Sequence, residues 1–126
     1  MHARRYAQAQ NETASRERLM VLLFEAALRH IRTAAAALES GERGAVGNAL
    51  SKATAIVAHL DATFDRHRFP ELAENVGAIY RFTCQRLVSA NLRRDPRLAR
   101  EAERAFAPVA DAFATAVRQV TSGGAR

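Results

Sequence analysis

The stretch SRERLMVLLFEAALRHIRTAAAALES, residues 15–40, decides the fold class of this chain. It contains no glycine or proline, and most of its residues favour the α-helix. Its apolar side chains recur at intervals of three and four, the spacing of one helix face; they are Val21, Phe24, Leu28, Ile31, Ala35 and Leu38. We therefore expect a long amphipathic helix that begins after Ser15 as N-cap and ends near Glu39, before Gly41.

The same helix is apolar on a second side. At about 100° per residue, the side nearly opposite to the first stripe carries Leu19, Leu22, Leu23 and Ala26. A helix with two apolar sides is either buried on both or presents one of them to a partner. The residues leave two readings open, which are a central position in a small bundle and a groove that accepts an amphipathic helix.

Three further helices follow from the rest of the chain. Residues 43–67 carry a seam with spacings of four and three, made of Val46, Leu50, Ala53, Val57, Leu60 and Phe64, and Ile56 widens it. Pro70 and Pro96 each suit the first position of a helix, and Asp95 can cap the last one. The apolar residues of the third helix are Leu72, Val76, Ile79, Tyr80, Leu87 and Val88. Those of the fourth are Ala99, Ala102, Phe106, Val109, Phe113, Ala116 and Val120.

Four helices joined by short turns predict an all-α fold, an antiparallel up-down four-helix bundle. We expect a flexible or short-helical tail over 1–14, the bundle over 15–121 and a disordered C-terminus over 122–126. Tyr6 is the one large apolar residue of that tail. Pro108 falls inside the fourth helix, where a proline should produce a kink at a cost of about 3 kcal/mol.

Composition excludes several classes of protein. The chain has 126 residues, 48% of them apolar, which suits one domain with its own core. No apolar run approaches the roughly 20 residues that span a membrane, and Cys84 alone cannot form an internal disulfide. We expect a cytoplasmic protein without stable membrane insertion. Since ligand-spaced histidines, a phosphate loop and a nucleophile elbow are all missing from the sequence, we expect neither an enzyme nor a cofactor or metal.

The formal charge of +6 leaves one alternative function. Several arginines cluster around the turn between the third and fourth helices: Arg93, Arg94, Arg97, Arg100 and Arg104. A basic helical bundle of this kind could bind nucleic acid or serve as another protein-interaction module. Acidic residues dilute the cluster, and aromatic side chains for base stacking do not interleave with it. We therefore expect a solvated basic surface, with no nucleic acid bound.

Three strings resemble the FliS-type flagellar secretion chaperones. Thr13-Ala14-Ser15, Leu19 and Leu22-Leu23-Phe24 are similar to the family's opening motif, TASPxELxxMLYxG. Leu50, Lys52-Ala53, Ile56-Val57 and Leu60 resemble its second helix, LxKAxxIIxxL. Leu72, Asn75, Tyr80, Arg86-Leu87, Ala90-Asn91 and Asp95 are similar to its third helix and the turn that follows. The resemblance covers the chain from about Tyr6 to Phe113.

This resemblance implies a cytosolic export chaperone without enzymatic activity. Its expected partners are the C-terminal segment of unpolymerised flagellin, which it keeps from polymerising too early, and a component of the flagellar type III export gate. The client-binding groove that we expect contains Leu19, Leu22, Leu23, Ala26, Ile56, Leu60, Tyr80 and Leu87. The family resemblance also implies that Tyr6, in the tail, covers this groove as a lid and contacts an export partner.

Overall fold

The computed structural model describes residues 2–124, and these residues form four helices. The helices are α1 (His2–Ser40), α2 (Arg43–Thr63), α3 (Pro70–Arg93) and α4 (Pro96–Gly124). Within the part described there is no strand. α1 packs on α2 and α4, α3 packs on α4, and the contact between α2 and α3 is the sparsest of the four. The predicted all-α four-helix bundle is confirmed.

α1 begins much earlier than the sequence suggested. The helix runs from His2, so Ser15 lies inside it and is exposed instead of capping it. Residues 2–14 contain neither glycine nor proline, and nothing in that stretch breaks the helical hydrogen bonding. The Thr13 hydroxyl donates a hydrogen bond back to the carbonyl of Ala9 at 3.0 Å, as threonines inside helices do. Residues 3–12 are exposed, so this segment extends α1 beyond the packed bundle.

The other helix ends follow from local turn chemistry. Pro70 and Pro96 open α3 and α4 as predicted, and the amide of Arg97 donates to Asp95 Oδ1 at 3.0 Å. α2 stops at Thr63, four residues before the predicted end at 67. The physical reason is the turn that follows, in which Asp65 Oδ1 accepts hydrogen bonds from the amides of His67 and Arg68. That carboxylate offers the backbone an alternative to the helix.

The structure describes only part of the C-terminal segment 122–126 that was expected to be disordered. α4 continues through Pro108 to Gly124, so part of the segment expected to be disordered, 122–124, is helical. Residues 125 and 126 lie outside the described part of the chain.

The core largely follows the predicted seams. All six seam residues of α2 and its adjoining turn, Val46 through Phe64, are buried, as are Phe24, Ile31, Phe106 and Phe113. Two expectations for the third and fourth helices are wrong, because Val88 is 52% exposed and Val120 is 36% exposed. In α3, Thr83 and Ala90 are buried instead, since the seam advances 76-80-83-87-90. Val88 lies one residue beyond that seam and therefore points away from the core.

Candidate functional site

Two leucines on the outer side of α1 stand out as exposed apolar residues. Leu19 is 56% exposed and Leu22 is 59% exposed, although both lie in the middle of a long packed helix. Leu23 and Ala26 on the same helix are half-buried, and so is Ile56 of α2, which packs against the core. We call these five residues the client surface, after the binding role expected from the sequence. Leu23 and Ile56 pack against the core, whereas Leu19 and Leu22 are open to solvent.

A cleft of about 500 Å³ adjoins this surface at the end of the bundle where α2 turns into α3. Leu19, Met20 and Leu23 line it from α1, His59 and Thr63 from α2, and Phe69 from the turn. Besides its apolar side chains, the lining includes charged groups, among them Arg16, Asp65 and Arg68. An amphipathic helix suits such a lining, because its apolar stripe can enter the cleft while its polar side stays in water.

Three of the predicted groove residues are not at the surface. Leu60, Tyr80 and Leu87 are at most 2% exposed and belong to the core, so the client surface does not include them. The sequence placed them there because a core seam and a binding groove have the same spacing of three and four. Burial also raises the pKa of the Tyr80 phenol well above its usual range, which keeps the side chain neutral.

A partly buried ion pair that the sequence did not predict borders the same cleft. Glu17 of α1 is 5% exposed, and its carboxylate accepts a hydrogen bond from the Arg68 guanidinium in the turn before α3. The pair joins residues 51 positions apart. Local sequence carries no signal for a partner at that separation. Glu17 and Arg68 fix the turn that carries Phe69 against α1.

Tyr6 lies away from the client surface in this conformation. It is 68% exposed and lines a second cleft together with Glu17, Arg68 and Val120, where the start of α1 passes the end of α4. Because α1 is continuous, the thirteen residues from Tyr6 to Leu19 separate the two by about 20 Å along the helix axis. Tyr6 therefore does not cover the client surface while residues 2–18 remain helical.

The remaining chemistry-bearing residues are histidines, carboxylates and Cys84. Across residues 2–124 no group of three histidine, cysteine or carboxylate side chains could hold a metal ion. Cys84 is half-buried, and burial raises the pKa of its thiol. A protonated, partly enclosed thiol is a poor nucleophile. None of the described helices is long and apolar enough to cross a membrane.

The basic cluster is partly neutralised by the fold. Arg97 Nη2 lies 3.1 Å from Asp95 Oδ2, and Arg100 bridges Glu39 and Glu103 at 2.7 and 2.8 Å. These arginines are occupied within the protein and are less available to a phosphate backbone.

A helical bundle with an open apolar surface is typical of proteins that bind another chain. The comparison with known families agrees, because residues 1–120 match the model of the flagellar protein FliS. The flagellar secretion chaperone FliS of Salmonella typhimurium is 35% identical over 113 residues, which cover 86% of this chain and 84% of the relative. The Bacillus subtilis chaperone of the same name is 32% identical, over 90% of this chain and 84% of that protein.

A third relative carries a slightly different name. The flagellar secretion chaperone FliSB of Pseudomonas aeruginosa is 33% identical over 91 residues, which cover 72% of each chain. Matches of this extent establish that the chain belongs to the FliS family of flagellar secretion chaperones, a family of chaperones and not of enzymes.

Proposed function

We propose that this chain is a cytoplasmic export chaperone that binds the C-terminal segment of unpolymerised flagellin through the client surface. The observation that supports the proposal most directly is the exposure of Leu19 and Leu22 at 56% and 59% in the middle of α1. Contiguous apolar surface of this kind is costly to leave in water and is typical of an interaction site. The names of the relatives supply the context of flagellar secretion.

The mode of binding that we propose is a helix in a groove. The flagellin segment folds into an amphipathic helix as it binds and buries its apolar stripe against Leu19, Leu22 and Ile56. Coupled folding has an ordering cost of several kcal/mol, which limits affinity and permits later release. While it is bound, the segment cannot join another flagellin subunit, so polymerisation is delayed until the chaperone delivers its client to the flagellar type III export gate.

The test is a titration of monomeric flagellin against paired aspartate variants. Leu22→Asp should weaken binding by about tenfold or more, because a carboxylate would lose its water on association without gaining a partner. Leu92→Asp is the matched control, since Leu92 is 79% exposed on α3, away from the client surface. It should leave the flagellin affinity unchanged. Both variants should melt like the parent protein, whereas Leu50→Asp, in the core, should unfold it.

Two results would refute the assignment. One is a flagellin complex that survives deletion of the flagellin C-terminal segment. The other is the same flagellin affinity in Leu22→Asp and Leu92→Asp, since the substitution on α1 would then have no specific effect on the client.

Tyr6 has a separate proposed role as a contact for an export partner. Its ring is exposed at the end of the bundle, beside Val120. The lid that the family resemblance implies would require α1 to bend or unfold before Leu19, at the cost of helical hydrogen bonds. Tyr6→Ala should therefore leave flagellin affinity unchanged in the purified protein and reduce export in cells. If the variant binds flagellin more tightly, the tyrosine is a lid.

A further inference from the structure

A second apolar surface lies between α2 and α3, away from the client surface. A cleft of about 440 Å³ opens there, between the first half of α2 and the last turns of α3. Leu50 and Leu87, both buried, lie at its floor. Val88 and Leu92 stand at its rim, 52% and 79% exposed. Leu92 is the most exposed of the large apolar residues that the structure describes.

The α2 wall of this cleft is made of small side chains. Gly47, Ser51 and Ala55 lie four residues apart and therefore share one helix face. A Cβ atom added at Gly47 would meet no atom within 4 Å, so the space above this glycine is open. Small residues in a row allow the backbone of another helix to approach closely between the ridges of α2 and α3. An extended strand would fit less well, because its backbone amides and carbonyls would be buried there without partners.

The end of the cleft nearest the α3–α4 turn is basic. Arg43 opens α2, while Arg93 and Arg94 close α3, and all three are exposed. Within residues 2–124 none of the three forms an ion pair. Most acidic residues at this end already form ion pairs, Glu39 with Arg100 and Asp95 with Arg97. Glu42 is left as the nearby counter-charge. The cleft therefore ends in a net positive field.

We infer that this cleft docks an amphipathic α-helix of a second protein, whose apolar stripe covers Val88 and Leu92 and whose acidic residues face Arg43, Arg93 and Arg94. The apolar lining supplies the contact area, and the arginines set the orientation and the sign of the charge. This surface is distinct from the client surface, which lies on the outer side of α1. A chaperone with both surfaces holds its client and a second acidic partner at the same time.

The experiment uses the full chain and a synthetic probe. The probe is a fluorescent amphipathic peptide of about five helical turns, with a leucine stripe and glutamates in one terminal turn. A control peptide carries lysines in place of the glutamates. Fluorescence anisotropy should show binding of the acidic peptide, and the lysine peptide should bind at least about tenfold more weakly. Added salt should weaken the binding of the acidic peptide, because the arginines at the mouth of the cleft are exposed.

Paired variants locate the probe on the surface. Gly47→Leu should fill the cleft and reduce binding about tenfold or more, as should Leu92→Asp. Gly44→Leu is the matched control, because Gly44 also has open space above it but does not line the cleft. It should bind like the parent protein, and so should Leu22→Asp. Circular dichroism melts should show that all four variants are folded.

Several outcomes would overturn the inference. If the acidic peptide and the lysine peptide bind equally well, the arginines do not select the partner. A loss of binding in Leu22→Asp, with Gly47→Leu unaffected, would place the peptide on the client surface. A dimer that disappears in Gly47→Leu would show that a second copy of the chain covers the cleft. A loss of flagellin affinity in Gly47→Leu would make the cleft part of the client site.

Discussion

The two ends of the bundle are held together in different ways. The end near the α2–α3 turn, which we call the aromatic end, contains Phe24, Phe64, Phe69 and Phe113. Phe113 of α4 is at its centre, with ring centroids 4.9 Å from Phe24, 5.1 Å from Phe69 and 6.1 Å from Phe64. Large rings from α1, from α4 and from the α2–α3 turn fill the interior there, so stability comes from apolar area and aromatic packing.

The opposite end, which we call the alanine end, brings α1, α3 and α4 together through Ala35, Ala90 and Ala99, each fully buried. Alanine buries little area, but it allows helix axes to approach closely. Ion pairs surround this contact on the outside. Arg100 of α4 bridges Glu39 and Glu103, and Arg32 of α1 lies 2.8 Å from Glu103. Apart from the Glu17–Arg68 pair at its surface, the aromatic end should therefore resist salt and acid, whereas the alanine end should respond to both.

The two proposed binding surfaces are divided in the same manner. The cleft beside the client surface is lined by Phe69 and lies at the aromatic end. The cleft between α2 and α3 opens near Arg93, at the alanine end. Binding of an apolar client at the aromatic end should be insensitive to salt. Binding of an acidic partner at the alanine end should weaken as salt is added.

The contrast between the two ends predicts its largest loss of stability for Phe113→Ala. The ring is 1% exposed and contacts three other rings, so truncation removes buried area and leaves a cavity. We expect a loss of about 3–5 kcal/mol in the free energy of unfolding, measured by urea titration. Phe82→Ala is the control, since Phe82 is 37% exposed and should cost far less. A loss in Phe113→Ala below about 2 kcal/mol would mean that the aromatic end is loosely packed.

Much of this architecture could be predicted from the sequence, because helix seams and helix starts are local signals. The seam of α2 and the starts at Pro70 and Pro96 required only spacing and backbone chemistry. The exposure of Leu22 could also be predicted, since it lies opposite the main stripe of α1.

The errors arose where local pattern leaves the answer open. Leu60, Tyr80 and Leu87 have the spacing of a groove and of a core alike, and only the packing of other helices decides between the two. The sequence left the N-terminal tail open between a flexible and a short-helical state, because polar helix formers suit both, and it did not predict that the tail continues α1. The Glu17–Arg68 pair depends on the fold that brings a turn against α1.

Ala99→Leu tests the close packing of the alanine end. Ala99 is 0% exposed between Ala35 and Ala90, so the added carbons have no space and must force α4 away from α1 and α3. We expect a loss of about 1–3 kcal/mol in the free energy of unfolding. Ala36→Leu, at an exposed site of α1, should be close to neutral. A neutral Ala99→Leu would show that the helices do not need a small residue here, and the contrast between the ends would be weaker.

The smallest effect is expected from the ion pairs around the alanine end, and its dependence on pH is the sharpest test of the contrast. Hydrogen bonds from Arg100 hold the pKa of Glu39 below its usual range. For Glu103, burial raises the pKa, but the bonds from Arg100 and Arg32 outweigh this, and the result is again a lowered pKa. A carboxyl with a lower pKa in the folded state stabilises the fold above its unfolded pKa of 4.5, and this contribution is lost as the pH falls through the folded value.

Arg100→Gln should therefore cost at most about 1 kcal/mol at pH 7, because these groups are partly exposed and water screens them. The difference in urea midpoint between Arg100→Gln and the parent protein should shrink as the pH falls below 4.5, and it should also shrink at 1 M salt, where the screening length is about 3 Å. The corresponding difference for Phe113→Ala should change little under either condition, since no charge is involved. If both variants respond to acid and salt in the same way, the two ends do not differ in what stabilises them.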